Sequence, residues 1–148
     1  MFWTRIKTVD GLVKKYKSTD RILSWIRWNI FPTRAVFGGF PTPEQVLKDK
    51  KAWCKGYAVL SYAVLTKLGY DPKLVSFMWR EKGELVGHVV CAWKDNSWHY
   101  SDNGIIHHCS TAQESLKDVA IFACPGKVYA AYERDGRGNL VNILISGV

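Results

Sequence analysis

Apolar residues at Ile22, Leu23, Ile26 and Ile30 keep to one helical face, and Thr19 or Asp20 can cap that helix. Pro32 is expected to end it. Val36–Pro41, with Gly38-Gly39, reads as a loop. Thr42-Pro43-Glu44-Gln45 then has the form of a helix start: a threonine cap, proline at the first helical position and glutamine three residues after the cap. That helix is expected near 43–50. The strongest helical pattern follows. Across Trp53–Leu68 the residues Val59, Tyr62, Ala63, Leu65 and Leu68 fall near one broad face, and Gly69 with Asp71-Pro72 stops the helix. Beyond it the period changes. Leu74–Trp79 and Ser97–Asp102 alternate, while Gly87–Trp93 is almost wholly apolar, as a central buried strand is. Val119–Cys124, Lys127–Glu133 and Leu140–Ile145 read as further strands, with Asp135–Asn139 as a hairpin turn between the last two. Helices first and strands afterwards predict an α+β fold, with N-terminal helices packed on an antiparallel β-sheet.

The chain has 148 residues, enough for one domain, 1–148, that needs no disulfide or metal to fold. No repeat, low-complexity tract or linker divides it. Charge does distinguish its parts. Residues 1–50 carry +6 of the net +8, which marks a basic helical N-terminal part ahead of a core at 51–148. Arg5, Lys7, Lys14, Lys15, Lys17, Arg21, Arg27 and Arg34 could face an acidic partner, or form a solvated basic face. No nucleic-acid motif accompanies them, so nucleic acid is not expected as a partner. No stretch approaches the length of a membrane span, and the basic start lacks the apolar region of a secretory leader. The expected setting is cytoplasmic, with Cys54, Cys91, Cys109 and Cys124 as reduced thiols.

Cys54 sits where the confident helix begins. Unpaired N–H groups and the helix dipole there favour thiolate over thiol, and Lys55 acts in the same sense. His88 opens the apolar strand. A hairpin through Lys94-Asp95-Asn96 would pair Trp93 with Ser97, with Asn96 in the left-handed conformation, and so would set His88 opposite Asp102. His88, Val90, Ala92, Trp98, Tyr100 and Asp102 would then share one face. An aspartate beside the imidazole fixes its tautomer and stabilises the imidazolium. A two-residue Asp95-Asn96 turn would instead bring Asn103 to that place, and asparagine also orients an imidazole. The backbone N–H of Cys54 is the first candidate for an oxyanion donor. Gln45, Trp53 and Trp28 are the side-chain candidates.

Trp53-Cys54-Lys55-Gly56-Tyr57-Ala58 and Leu65-Thr66-Lys67-Leu68-Gly69-Tyr70 resemble the nucleophile helix of the transglutaminase-like superfamily. Gly87-His88, Asn96-Ser97-Trp98 and Ser101-Asp102 resemble its histidine and aspartate strands. Upstream, Tyr16-Lys17-Ser18-Thr19-Asp20 and Pro41-Thr42-Pro43-Glu44 are similar to bacterial transglutaminase-like cysteine peptidases. The resemblance spans roughly residues 16–102. It implies a Cys54–His88–Asp102 triad on a papain-like fold, used for amide cleavage or acyl transfer. Lys55-Gly56 stands where the bacterial peptidases usually have an acidic pair, and Asn103 where a proline often follows the aspartate.

His107-His108-Cys109, with Cys91 and Cys124, lack the short ligand spacings of structural zinc, so no metal and no other cofactor is expected. The expected activity is a cysteine-dependent hydrolase of a protein or peptide amide bond, working through a thioester. Transglutaminase-type acyl transfer is the alternative within the fold, and a catalytically silent binding or assembly module is the alternative outside enzymology.

Overall fold

The computed structural model describes residues 5–34 and 38–147. Part of the expected Val36–Pro41 loop therefore lies outside the described residues. The elements run α1 (Val9–Tyr16), α2 (Thr19–Asn29), β1 (Phe31–Pro32), α3 (Pro43–Asp49), β2 (Lys51–Ala52), α4 (Cys54–Lys67), β3 (Lys73–Glu81), β4 (Glu84–Lys94), β5 (Trp98–Asp102), β6 (Ile105–His108), α5 (Leu116–Ala123), β7 (Val128–Arg134) and β8 (Leu140–Ile145). β1 and β2 form a short parallel ladder. The other six strands make one antiparallel sheet in the order β6-β5-β4-β3-β7-β8, so the fold is α+β.

Strand alternation divides the core between the two faces of this sheet. Leu74 of β3 and Val89, Cys91 and Trp93 of β4 pack with buried residues of the four N-terminal helices. Val75, Phe77 and Trp79 of β3 and Val90 and Ala92 of β4 pack with Val119 and Ala120 of α5. The central helix α4 is buried at Tyr57, Ala58, Val59, Leu60, Val64 and Leu65. It is tied to the end of α2 by the Tyr57 hydroxyl, which donates to the Ile30 carbonyl at 2.7 Å. Gly56 lets its first turn approach β2, because a Cβ at that position would lie 2.6 Å from the Ala52 Cβ.

Three expectations about the elements need correction. Val119–Cys124 is not a strand. Residues 119–123 complete α5, whose N-terminus is fixed by a capping box in which Ser115 accepts from the Asp118 N–H and the Asp118 carboxylate accepts from the Ser115 N–H. A short apolar run fits either period, and the cap decides it. Helix α2 ends at Asn29 rather than at Pro32, because Phe31 and Pro32 extend beside Lys51 and Ala52, and its cap is Ser18. Helix α1, capped by Thr8, and strand β6 were not anticipated.

The β4–β5 register also differs from both expected registers. Trp93 pairs with His99 and Cys91 with Ser101, two residues away from the three-residue-turn expectation. Asn96 is not among the residues with positive φ. Ser97 is drawn into the turn instead. Its N–H meets the Asp95 carboxylate at 3.3 Å, and its carbonyl accepts from the Asp95 N–H at 3.2 Å. The left-handed asparagine is Asn103, at φ 50, followed by Gly104 at φ 86. These two residues make the tight turn between Asp102 and its partner Ile105. Gly104 is required there twice over, by its φ and by Arg27 of α2, whose backbone nitrogen lies 2.8 Å from where a Cβ would sit.

Candidate functional site

Among the described residues, four of the five helices begin on a side chain that caps them: Thr8, Ser18, Thr42 and Ser115 accept from backbone N–H groups. Helix α4 begins on Trp53, which provides no side-chain cap. The N–H groups of its first turn and the positive end of its dipole are thus available to an anion. Cys54, its first residue, is half-buried, whereas Cys91, Cys109 and Cys124 are buried.

On the neighbouring strand, the described β4–β5 ladder ends at Cys91↔Ser101. Beyond that point the Val89 N–H donates to the Cys54 sulfur, as does the Lys55 N–H. The two-residue register shift keeps strand parity, so His88 and Asp102 still face the same way. They meet as diagonal rather than direct neighbours. His88 Nε2–H donates to Asp102 Oδ1 at 2.7 Å. The other ring nitrogen is left for Cys54, with which the imidazole also hydrogen-bonds. Phe77, directly across β3, sets its ring edge-on to the imidazole with centroids 5.8 Å apart. Cys54, His88 and Asp102 are therefore in one connected array, and Asn103 is the turn residue beside it.

The charges follow from this array. Burial alone would raise the Cys54 thiol pKa. The hydrogen bond from His88, its positive charge and the N–H groups of Val89 and Lys55 outweigh burial, and the thiol lies below its ordinary value. Burial alone would lower the His88 pKa. The Asp102 carboxylate and the Cys54 thiolate outweigh it, and His88 is pushed up to about 9. Burial pushes the Cys91 and Cys109 thiols up. The arrangement thus shifts the pair toward thiolate and imidazolium.

The array opens into a cleft of ≈ 640 Å³. Its walls include Phe40, Trp53, Lys55, Met78, Tyr132 and Arg134 around Cys54 and His88. Of the three side-chain oxyanion candidates, Trp53 lines this cleft. Gln45 is turned along α3, where its amide donates to the Asp49 carboxylate at 2.9 Å. Trp28 is 67% exposed and lines a separate groove on α2. Neither is among the cleft residues. Arg134 and Tyr132 are cleft residues that sequence reasoning did not find. The available signal is an arginine after Glu133 at the end of a strand that begins apolar and aromatic, which names no site until the topology sets β7 beside β3.

His107, His108 and Cys109 do not gather with Cys91 and Cys124. Cys91 packs on the α4 side of the sheet and Cys109 and Cys124 on the α5 side. Among the described residues no group of three or more His, Cys, Asp or Glu side chains could hold a metal ion. Nor is any helix among them long and apolar enough to cross a membrane.

No curated protein matches the chain in sequence. A family model described as a transglutaminase-like domain matches residues 5–101, a span that contains Cys54 and His88 and ends one residue before Asp102. The chain belongs to the transglutaminase-like superfamily.

Proposed function

We propose that the protein is a cysteine-dependent hydrolase that cleaves an amide bond of a peptide or protein substrate through a thioester. The observation that carries this reading is the array itself: a thiol with a lowered pKa at an uncapped helix start, hydrogen-bonded to an imidazole that Asp102 holds at 2.7 Å. The Cys54 thiolate attacks the carbonyl carbon. The negative charge on the carbonyl oxygen is received by N–H groups of the first turn of α4, that of Cys54 foremost, with Trp53 as the side-chain candidate in the cleft. The imidazolium of His88 gives its proton to the leaving amine as the tetrahedral intermediate collapses to the thioester. Neutral His88 then takes a proton from water, which attacks the thioester and releases the acid and the Cys54 thiolate. Asp102 keeps the ring oriented throughout and stabilises its charged form. An amine in place of that water would give acyl transfer, and the same acyl-enzyme serves both outcomes.

The test is incubation with a peptide library, read by mass spectrometry for new termini that depend on Cys54. The pH dependence is specified by the same groups. The productive form needs His88 protonated and Cys54 ionised. Activity therefore falls on the acid side as the thiolate is protonated, below the ordinary thiol range. It falls on the alkaline side as His88 loses its proton near 9. A kcat/KM profile on any cleaved peptide is expected to be bell-shaped with its alkaline limb near 9. A profile that keeps rising through pH 10 contradicts the assignment of His88.

A further inference from the structure

Arg134 ends β7 in the wall of the cleft, and its side chain is half-buried. Its Nε–H donates to the Ser76 hydroxyl at 3.0 Å and an Nη1–H donates to the Gly138 carbonyl at 2.9 Å. Both acceptors are neutral. The guanidinium is flanked by aromatic rings, with its carbon 5.9 Å from the Phe40 centroid and 5.7 Å from that of Tyr132. A guanidinium carries five N–H donors, so these two bonds hold it in place without exhausting it. A partly desolvated arginine ordinarily finds a carboxylate. Among the described residues Arg134 is in no salt bridge, and the residues lining the cleft include no Asp or Glu. The second cation in the wall, Lys55, has its Nζ on the Gly38 carbonyl at 3.0 Å and lies over the other ring contact, Phe40, at 5.1 Å. The imidazolium of His88 is already matched by Asp102 and by the Cys54 sulfur.

We propose that Arg134 is the anion-recognition residue of this cleft and that the substrate carries a carboxylate near the amide bond that is cut. This rests on the reading of Cys54 as the nucleophile. The remaining N–H groups of a fork held on Ser76 and Gly138 suit a planar carboxylate, which accepts two parallel hydrogen bonds, better than they suit a neutral amide. The walls of Phe40 and Tyr132 limit water around the pair and so strengthen it. The carboxylate can come from an acidic side chain or from a peptide C-terminus, and the chemistry of recognition is the same.

Alkylation of Cys54 tests this without knowledge of the natural substrate. Two reagents carry a carboxylate: N-iodoacetyl-glutamate α-amide, as a side chain, and N-iodoacetyl-glycylglycine, as a free terminus. Their neutral counterparts are the glutamine amide and the glycylglycine amide. In each case the Cys54 sulfur displaces iodide and forms a thioether, whose rate mass spectrometry follows at ~150 mM salt, where long-range steering is screened. At least one anionic reagent is expected to label Cys54 about tenfold faster than its neutral counterpart, and the pair that shows it identifies the source of the carboxylate. The ratio is expected to fall to near one in Arg134→Gln, to be partly kept in Arg134→Lys, and to match the parent in Arg80→Gln, which alters an exposed arginine outside the cleft. Equal rates within both pairs in the parent protein overturn the proposal and leave the nucleophile standing; this comparison needs no variant to fold. An undiminished ratio in Arg134→Gln overturns it as well. Failure of all four reagents to label Cys54 overturns both the proposal and the reading beneath it.

Discussion

Replacing Cys54 by alanine is expected to lower peptide cleavage by about 10⁴-fold or more, because the covalent route is lost with the sulfur. The fold is expected to survive. Cys54 is half-buried at the first position of α4 and only packs against the margin of the α4-side core, so truncation leaves no closed cavity. The stability change should stay within about 1 kcal/mol, as for substitutions away from tight packing. Activity is measured on the library peptides and stability by thermal unfolding. Retained cleavage in Cys54→Ala would remove Cys54 from the reaction. Loss of cooperative unfolding would make it a structural residue.

Asp102→Asn has the second largest expected effect. Asparagine fills nearly the same space, so β5 and the turn after it should keep their geometry. The charge that helps hold His88 up near 9 is gone, however, and the new amide can present either a donor or an acceptor to Nε2. The imidazolium loses its strongest support and the thiolate loses its counter-charge in turn. Turnover is expected to fall by about 10²–10⁴-fold, and the alkaline limb of the pH profile should move below 9. Asn103→Ala separates orientation from folding. Asn103 holds a left-handed turn position at φ 50, where alanine costs about 1 kcal/mol, so stability should drop while turnover changes little. Near-normal turnover in Asp102→Asn combined with a large loss in Asn103→Ala would reverse their roles.

The parts of this site that could be read from the sequence depend on local signals. Cys54 follows from a long apolar helix with a clear start, and its dipole argument needs no tertiary information. The meeting of His88 and Asp102 depends on strand parity, which a shift of two residues leaves intact, so the pairing was legible although the register was not. The β4–β5 register is not legible because Ser97 joins the turn through its bonds with Asp95, and Asn96 does not take positive φ. The next turn carries a clear local signal: Asn103-Gly104 is the dipeptide of a two-residue hairpin, and it joins β5 to β6. Helix α5 is not legible in Val119–Cys124, because a short apolar run fits the period of a helix and of a strand alike. Ser115 and Asp118, which decide it, both lie before that run. Gln45 has the residue type of an oxyanion donor, but Asp49, four residues on, takes its amide. Arg134 has no local signal for another reason: it lies 58 residues from Ser76, its partner on β3, and only the sheet order brings the end of β7 to the cleft.

The central claim is that Cys54 is the activated thiol. Brief iodoacetamide labelling of the folded protein at pH 6, followed by peptide mapping, ranks the four cysteines directly. The expected result is label on Cys54 first, because the neighbouring imidazolium and backbone N–H groups outweigh burial and lower its pKa below the ordinary thiol value. Prior labelling of Cys91, Cys109 or Cys124, or a Cys54 rate that climbs with pH as an unperturbed thiol does up to about 8.5, contradicts it.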